Sequence, residues 1–367
     1  MTASDTAASA VLMIYAGGTL GMLATPRGLV PGGEIEARLR HALAALPPAR
    51  QASLPAFEVL ETARPIDSSS ATPADWQHLA ALVAKHYRQY AGIVILHGTD
   101  TLAWTASSLA FQLLGLDRAV VLTGAMQPLE ADGSDAASNV ADALCFALSP
   151  GLQEVAVCFA GRLLRGCRTR KWQTHAPDAF ASPNQPLLGE RVDQAVVLYP
   201  GRGLADHQRG APRFELADYA TAGESVVRLV LWPGLQAWQL AAWLLDDRVR
   251  GAVLEVWGGG NLPEDPALAG VLARASGEGK LLAALTQCPR GGVAIGHYAA
   301  GQGLADAEVL SADDMTPEAA FTKLVHLLAL PLAQSERRAR FLTPLAGERS
   351  PRPTSVDRDQ AALPATR

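Results

Sequence analysis

The chain reads as a two-domain α/β protein: a larger N-terminal, mostly parallel sheet flanked by helices, and a smaller C-terminal α/β domain. Three observations predict this. Short apolar, β-branched runs recur along the first half, each closed by Gly or hydroxyl residues; helical segments separate them; and the same alternation restarts after an aperiodic stretch near residue 210. A length of 367 residues also exceeds the usual size of one core. On these signals the chain divides into an N-terminal domain over 10–200, a linker over 201–222, a C-terminal domain over 223–335 and a disordered tail over 336–367.

The first run, Val11-Leu12-Met13-Ile14-Tyr15, ends in Ala16-Gly17-Gly18-Thr19, and the second, Phe57-Glu58-Val59-Leu60, leads through a polar stretch into Asp67-Ser68-Ser69-Ser70. Thr72-Pro73-Ala74-Asp75 starts a helix, with a hydroxyl cap and Pro in the first turn, and Trp76, Leu79, Ala80 and Val83 continue one apolar face. Gly92-Ile93-Val94-Ile95-Leu96 closes on His97-Gly98-Thr99-Asp100-Thr101, and Ala119-Val120-Val121-Leu122 on Thr123-Gly124-Ala125-Met126. Val155-Ala156-Val157-Cys158-Phe159 leads on to a basic segment from Arg165 to Lys171. From Pro200 to Gly223 the chain is rich in Gly, Arg, Asp and Pro without periodicity, as suits a linker. Strands resume over 226–232, 251–257 and 280–286, with a helix over 237–246. Thr316-Pro317 then opens a last helix carrying Phe321, Leu324, Val325 and Leu328 on one side. The remainder, rich in Arg, Pro, Ser and Ala, has the composition of a disordered tail.

With 49% hydrophobic and 18% charged residues, the composition is that of an ordinary soluble globular protein. A net charge of −5 and a pI near 5.9 give no electrostatic footprint for nucleic acid or an anionic membrane. No apolar run approaches membrane-spanning length, and the first ten residues lack the basic and apolar regions of a secretory signal, so a cytoplasmic location is expected. Cys145, Cys158, Cys167 and Cys288 lack metal-ligand spacing and read as reduced structural thiols.

Open α/β sheets do their chemistry at the carboxyl ends of their strands. Five such ends would bring two threonines, a serine cluster, an aspartate and a lysine to one crevice. Each residue also has a plainer reading. Thr and Asp at a strand-to-helix junction are ordinary helix caps, and Lys171 among Arg165, Arg168 and Arg170 belongs to a solvated charged face. His97, beside a buried strand, reads as a hydrogen-bonded structural histidine, and Met126 and Trp104 as core or pocket wall. Ala16-Gly17-Gly18-Thr19 lacks the Gly-Lys-Ser/Thr ending of a phosphate loop, and no dinucleotide fingerprint occurs there.

Taken together and in order, Ala-Gly-Gly-Thr-Leu-Gly at 16–21, Asp-Ser-Ser at 67–69, His-Gly-Thr-Asp-Thr at 97–101, Thr-Gly-Ala-Met at 123–126 and Arg-Thr-Arg-Lys at 168–171 resemble the bacterial-type L-asparaginases. Gly-Gly-Gly-Asn at 258–261 and Leu-Thr-Gln-Cys at 285–288 continue the likeness, which spans about 11–335. The stretch over 178–184 and the Thr-Gln-Cys segment look most like the cytoplasmic branch. The resemblance implies hydrolysis of L-asparagine to L-aspartate and ammonia, with no metal or organic cofactor. Thr19 matches the nucleophile that forms an acyl-enzyme, and Thr99, Asp100 and Lys171 match a proton-relay group. Which threonine attacks first is left open. Asp67, Ser68 and Ser69 match the positions that grip the substrate's carboxylate end, Asp100 can also hold its ammonium, and backbone N–H groups near Thr99 and Ala125 match the oxyanion donors. Asn261 matches a residue supplied by a neighbouring subunit, so a homodimer or homotetramer with shared sites is implied. A broader glutaminase or amidase, or a catalytically weak amino-acid binding protein, is the alternative.

Two departures stand out. Where many relatives carry a loop tyrosine, this chain has Gly28-Leu29-Val30-Pro31, and Leu29 cannot donate a hydrogen bond. Cytoplasmic relatives bind a second asparagine with a threonine and an arginine where this chain has Arg170 and Glu255, a pair expected to bond to each other. Of that element only Thr286-Gln287-Cys288 is kept.

Overall fold

The computed structural model describes residues 9–26, 28–296 and 299–350. Eight strands form the first sheet: β1 (Val11–Gly17), β2 (Phe57–Ile66), β3 (Gly92–Leu96), β4 (Val120–Thr123), β5 (Val155–Phe159), β6 (Arg162–Arg165), β7 (Gly189–Val192) and β8 (Ala195–Leu198). Their order is β8-β7-β6-β5-β4-β3-β1-β2, parallel from β2 to β5 and antiparallel beyond. The second sheet is wholly parallel and consists of β9 (Val226–Val230), β10 (Gly251–Val256), β11 (Leu281–Thr286) and β12 (Leu310–Ser311).

Each inner parallel strand of the first sheet, β1, β3, β4 and β5, is buried on both faces, which is why its sequence is a nearly continuous apolar run. In β1, Leu12, Ile14 and Ala16 enter one core while Val11, Met13 and Tyr15 enter the other. The second core is covered by helices α1 (Ile35–Ala44) and α4 (Ala136–Ala147), the first by α2 (Pro73–His86), α3 (Leu102–Gln112) and α7 (Pro317–Ala329). Helices α5 (Ala237–Leu244) and α6 (Pro266–Gly277) cover the far face of the second sheet. Both anticipated helix starts form. The Asp75 carboxylate accepts from the N–H and hydroxyl of Thr72, and the Thr316 hydroxyl accepts from the Ala319 N–H at 3.1 Å.

Several boundaries differ from the sequence reading. Strand β2 continues through the polar stretch to Ile66, because as the edge strand it leaves polar side chains in solvent. Helix α7 is buried almost all round rather than on one side: it lies between α3 and the second sheet, so one core runs through both halves of the chain. The linker is not free of structure, since Arg213–Phe214 pairs with Leu113–Leu114 and a helix covers Tyr219–Glu224. The expected disordered tail over 336–367 is overturned as far as residue 350. Helix α8 (Gln334–Leu342) is followed by a strap in which Glu348 is fully buried against Lys323 and receives the Leu345 and Ala346 N–H groups. Composition missed this because part of the segment's charge is paired away from solvent, Glu348 with Lys323 and Arg349 with Asp313. Residues 351–367 lie outside the described ones.

Candidate active site

Strand β1 lies between β2 and β3, so the chain leaves it to one side and returns on the other. The crevice at the carboxyl ends of β1 and β3 is therefore a topological switch point. With Tyr15 paired to Leu96, Gly17-Gly18-Thr19 and His97-Gly98-Thr99-Asp100 emerge side by side. They touch closely: a Cβ on Gly18, whose φ is 98°, would stand 2.4 Å from the Gly98 nitrogen, and one on Gly98 would meet the Ser68 hydroxyl at 2.3 Å. Thr101 donates to the Ser68 carbonyl at 2.7 Å, which ties the end of β2 to the same corner.

Lys171 reaches this corner by a detour. Strand β6 runs antiparallel to β5, a turn over Gly166–Arg168 follows, and Arg170–Lys171 returns as a short strand paired with Phe180–Ala181. The Lys171 ammonium donates to the Thr99 hydroxyl at 2.9 Å and to the Asp100 carboxylate at 2.7 Å. Thr99 is buried, whereas the Asp100 side chain is 58% exposed and free to face a ligand. Thr19 opens the turn Thr19–Gly21 and is half-buried. Asp67 is exposed, and its carboxylate accepts from the N–H and hydroxyl of Ser69 at 3.0 and 2.9 Å, while Ser68 is buried. Ala125 is buried at the end of β4.

His97 takes the structural role read from sequence. Its Nδ1–H donates to the Gly98 carbonyl at 2.8 Å, leaving Nε2 to accept from Thr105 at 3.1 Å. Burial pushes its pKa down, so it stays neutral. Sequence reasoning missed Asp135 and Asn139. Asp135 accepts from the Met126 and Gln127 N–H groups at 3.0–3.1 Å, and Asn139 donates to the Gly124 carbonyl at 3.0 Å, fixing the loop that carries Ala125. The available signal was an Asp directly before an Ala-rich helix.

Asn261 stands after β10 in a tight turn of the second domain, with its side-chain oxygen buried and lacking a hydrogen-bond partner. The expected bond between Arg170 and Glu255 does not form: Arg170 lies 3.3 Å from Glu318, and Glu255 is paired with Arg228. Glu318, at the start of α7 and distant in sequence, presents a carboxylate to Arg170. Leu29 belongs to a strand, Gly28–Pro31, paired with Met22–Thr25, and its side chain lies outside the described ones.

Comparison with known proteins gives the family of the chain. The N-terminal asparaginase domain profile matches residues 10–202, and the glutaminase/asparaginase C-terminal domain profile matches 225–341. The chain is 37% identical to L-asparaginase 1 of Escherichia coli strain K12, over 93% of this chain and 98% of that protein. It is also 37% identical to the human 60 kDa lysophospholipase, over 93% of this chain but 61% of that longer protein. The crystal structure of L-asparaginase I from Vibrio cholerae superposes with a TM-score of 0.83 at 35% identity, covering 94% of this chain and 99% of that one.

Proposed function

The chain belongs to the asparaginase family and is an amidohydrolase, and we propose that it hydrolyses the side-chain amide of L-asparagine through a threonine nucleophile and an acyl-enzyme. The observation that carries this reading is the Lys171 ammonium placed between Thr99 and Asp100. Amide hydrolysis without a metal needs a nucleophile, a proton carrier and an oxyanion site, and the crevice offers residues for each.

In this reading the Thr19 oxygen adds to the amide carbon while its proton passes to the Thr99 hydroxyl, which hands its own proton on to the amide nitrogen, the Lys171 ammonium holding the Thr99 oxygen in place. The tetrahedral oxyanion is met by backbone N–H groups near Thr99 and Ala125. The C–N bond then breaks, ammonia leaves with the transferred proton, and water cleaves the Thr19 ester to give L-aspartate. Asp100 takes the substrate's ammonium, while Ser68, Ser69 and Asp67 hold its carboxylate end. The roles of Thr19 and Thr99 exchange without altering this balance. Asn261 completes the pocket of a neighbouring subunit in a homodimer or homotetramer; its unpartnered side-chain oxygen supports that placement. A cytoplasmic location is part of the same proposal. Among the described residues, no helix is long and apolar enough to cross a membrane.

Ammonia release from L-asparagine and from L-glutamine tests the reading. Turnover of asparagine well above glutamine is expected. Equal rates favour a broader glutaminase, which the C-terminal profile's description keeps in view, and binding without release favours an amino-acid binding protein.

A further inference from the structure

Arg38, on α1, sends its side chain under the turn that carries Thr19. Its Nη1 donates to the Gly21 carbonyl at 2.9 Å and to Gly33 at 3.5 Å, and its Nη2 to Met22 at 3.4 Å. The remaining donors grip Glu130 bidentately, Nε to Oε1 at 2.6 Å and Nη2 to Oε2 at 2.8 Å. All the N–H groups of the guanidinium are thus used, in a fork that lysine cannot reproduce. The Arg38 side chain is 15% exposed and that of Glu130 49%, so the bidentate geometry rather than burial is what sets this pair apart.

Glu130 follows the loop that carries Ala125, so Arg38 joins two parts of the crevice that no strand connects. The two are also joined directly, since the Leu129 N–H donates to the Leu20 carbonyl at 3.1 Å. The Gly21 carbonyl receives Gly32 N–H at 3.0 Å as well as Arg38. The fit is close: a Cβ on Gly32 would stand 2.4 Å from Arg38 Nη1.

We propose that Arg38, held by Glu130, is a positioning residue that fixes the Thr19–Gly21 turn against the Ala125–Glu130 loop. The proposal rests on Thr19 being a reacting group. Its test pairs turnover of L-asparagine with amide hydrogen exchange in Arg38→Met, Glu130→Gln, Arg38→Lys and Gly32→Ala. Exchange over residues 18–26 should rise in Arg38→Met, Glu130→Gln and Gly32→Ala, while exchange in β9–β11 stays at the parent rate. In the same three, kcat should fall about ten- to a hundredfold with KM nearly constant, and Arg38→Lys should recover part of that loss. Parent-like exchange and kcat in Arg38→Met overturn the proposal, as does exchange that rises equally throughout the protein. Thr19→Ala is measured alongside: if it keeps full turnover, the nucleophile reading fails, while exchange over 18–26 still reports whether Arg38 holds the turn.

Discussion

At the scale of the residue, a lysine with two partners separates chemistry from stability. Lys171 bridges Thr99 and Asp100, but the Asp100 carboxylate is largely in solvent, where an ion pair contributes only about 0–1 kcal/mol. Lys171→Met is therefore expected to abolish ammonia release while the melting temperature stays nearly constant; a fully active variant removes Lys171 from the mechanism. Thr19 and Thr99 stand at neighbouring strand ends and act on the same proposed step. Thr19→Ala and Thr99→Val should each lower kcat by several orders of magnitude, and the double variant should fall little further. Near-parental turnover in either folded single variant would return that threonine to the role of a helix cap.

At the scale of the element, legibility followed burial. Strands β1, β3, β4 and β5 could be read from sequence because both faces are buried and nearly every residue is apolar, and both proline-led helix starts could be read because capping is local. The linker and strap could not be read, because what orders them is contact between charged residues far apart in sequence. The Tyr219 hydroxyl bonds His326 Nδ1 at 2.6 Å, His326 Nε2 faces Glu215 at 2.8 Å, and Arg340 holds Glu215 at 2.5 Å, so the linker is pinned to α7 and α8. The same limit hid Arg38 and Glu318, whose partners Glu130 and Arg170 lie far away in sequence.

This pinning has a pH consequence. Burial pushes the His326 pKa down from 6.5, so the folded protein binds a proton there less readily than the unfolded chain. Burial pushes Glu215 up, but the bonds from His326 and Arg340 outweigh it and bring its pKa to about 2. Both folded values are depressed, so their stabilisation is present at neutral pH and is lost on acidification. The His326 part goes first, as pH falls below 6.5, and the Glu215 part follows between 4.5 and about 2. Melting temperature should fall between pH 7 and pH 5, and His326→Gln should flatten that slope even where its melting temperature is lower throughout. An unchanged slope in His326→Gln would assign the acid sensitivity elsewhere.

At the scale of the whole molecule, the proposed oligomer makes the pocket testable by mixing subunits. If Asn261 serves a neighbour's pocket, mixing Asn261→Ala with Thr19→Ala protein should restore activity, since some sites then hold both intact halves. No recovery in demonstrably mixed oligomers would confine Asn261 to its own chain. Regulation is argued from charge. A second site for a zwitterionic effector needs a cation free to take its carboxylate. Here Arg170 faces Glu318, a carboxylate whose pKa burial raises although Arg170 opposes the shift, and Arg228 is paired with Glu255 while lying over Trp104 at 5.9 Å. Both arginines are thus already engaged by carboxylates of the chain itself, and an effector carboxylate would have to displace one at the cost of leaving it buried and unpaired. L-asparagine saturation should then be hyperbolic, because no second ligand shifts the balance between two states of the oligomer. A Hill coefficient clearly above one that disappears in Arg170→Ala would show that an effector does displace Glu318 and that the site operates in altered form.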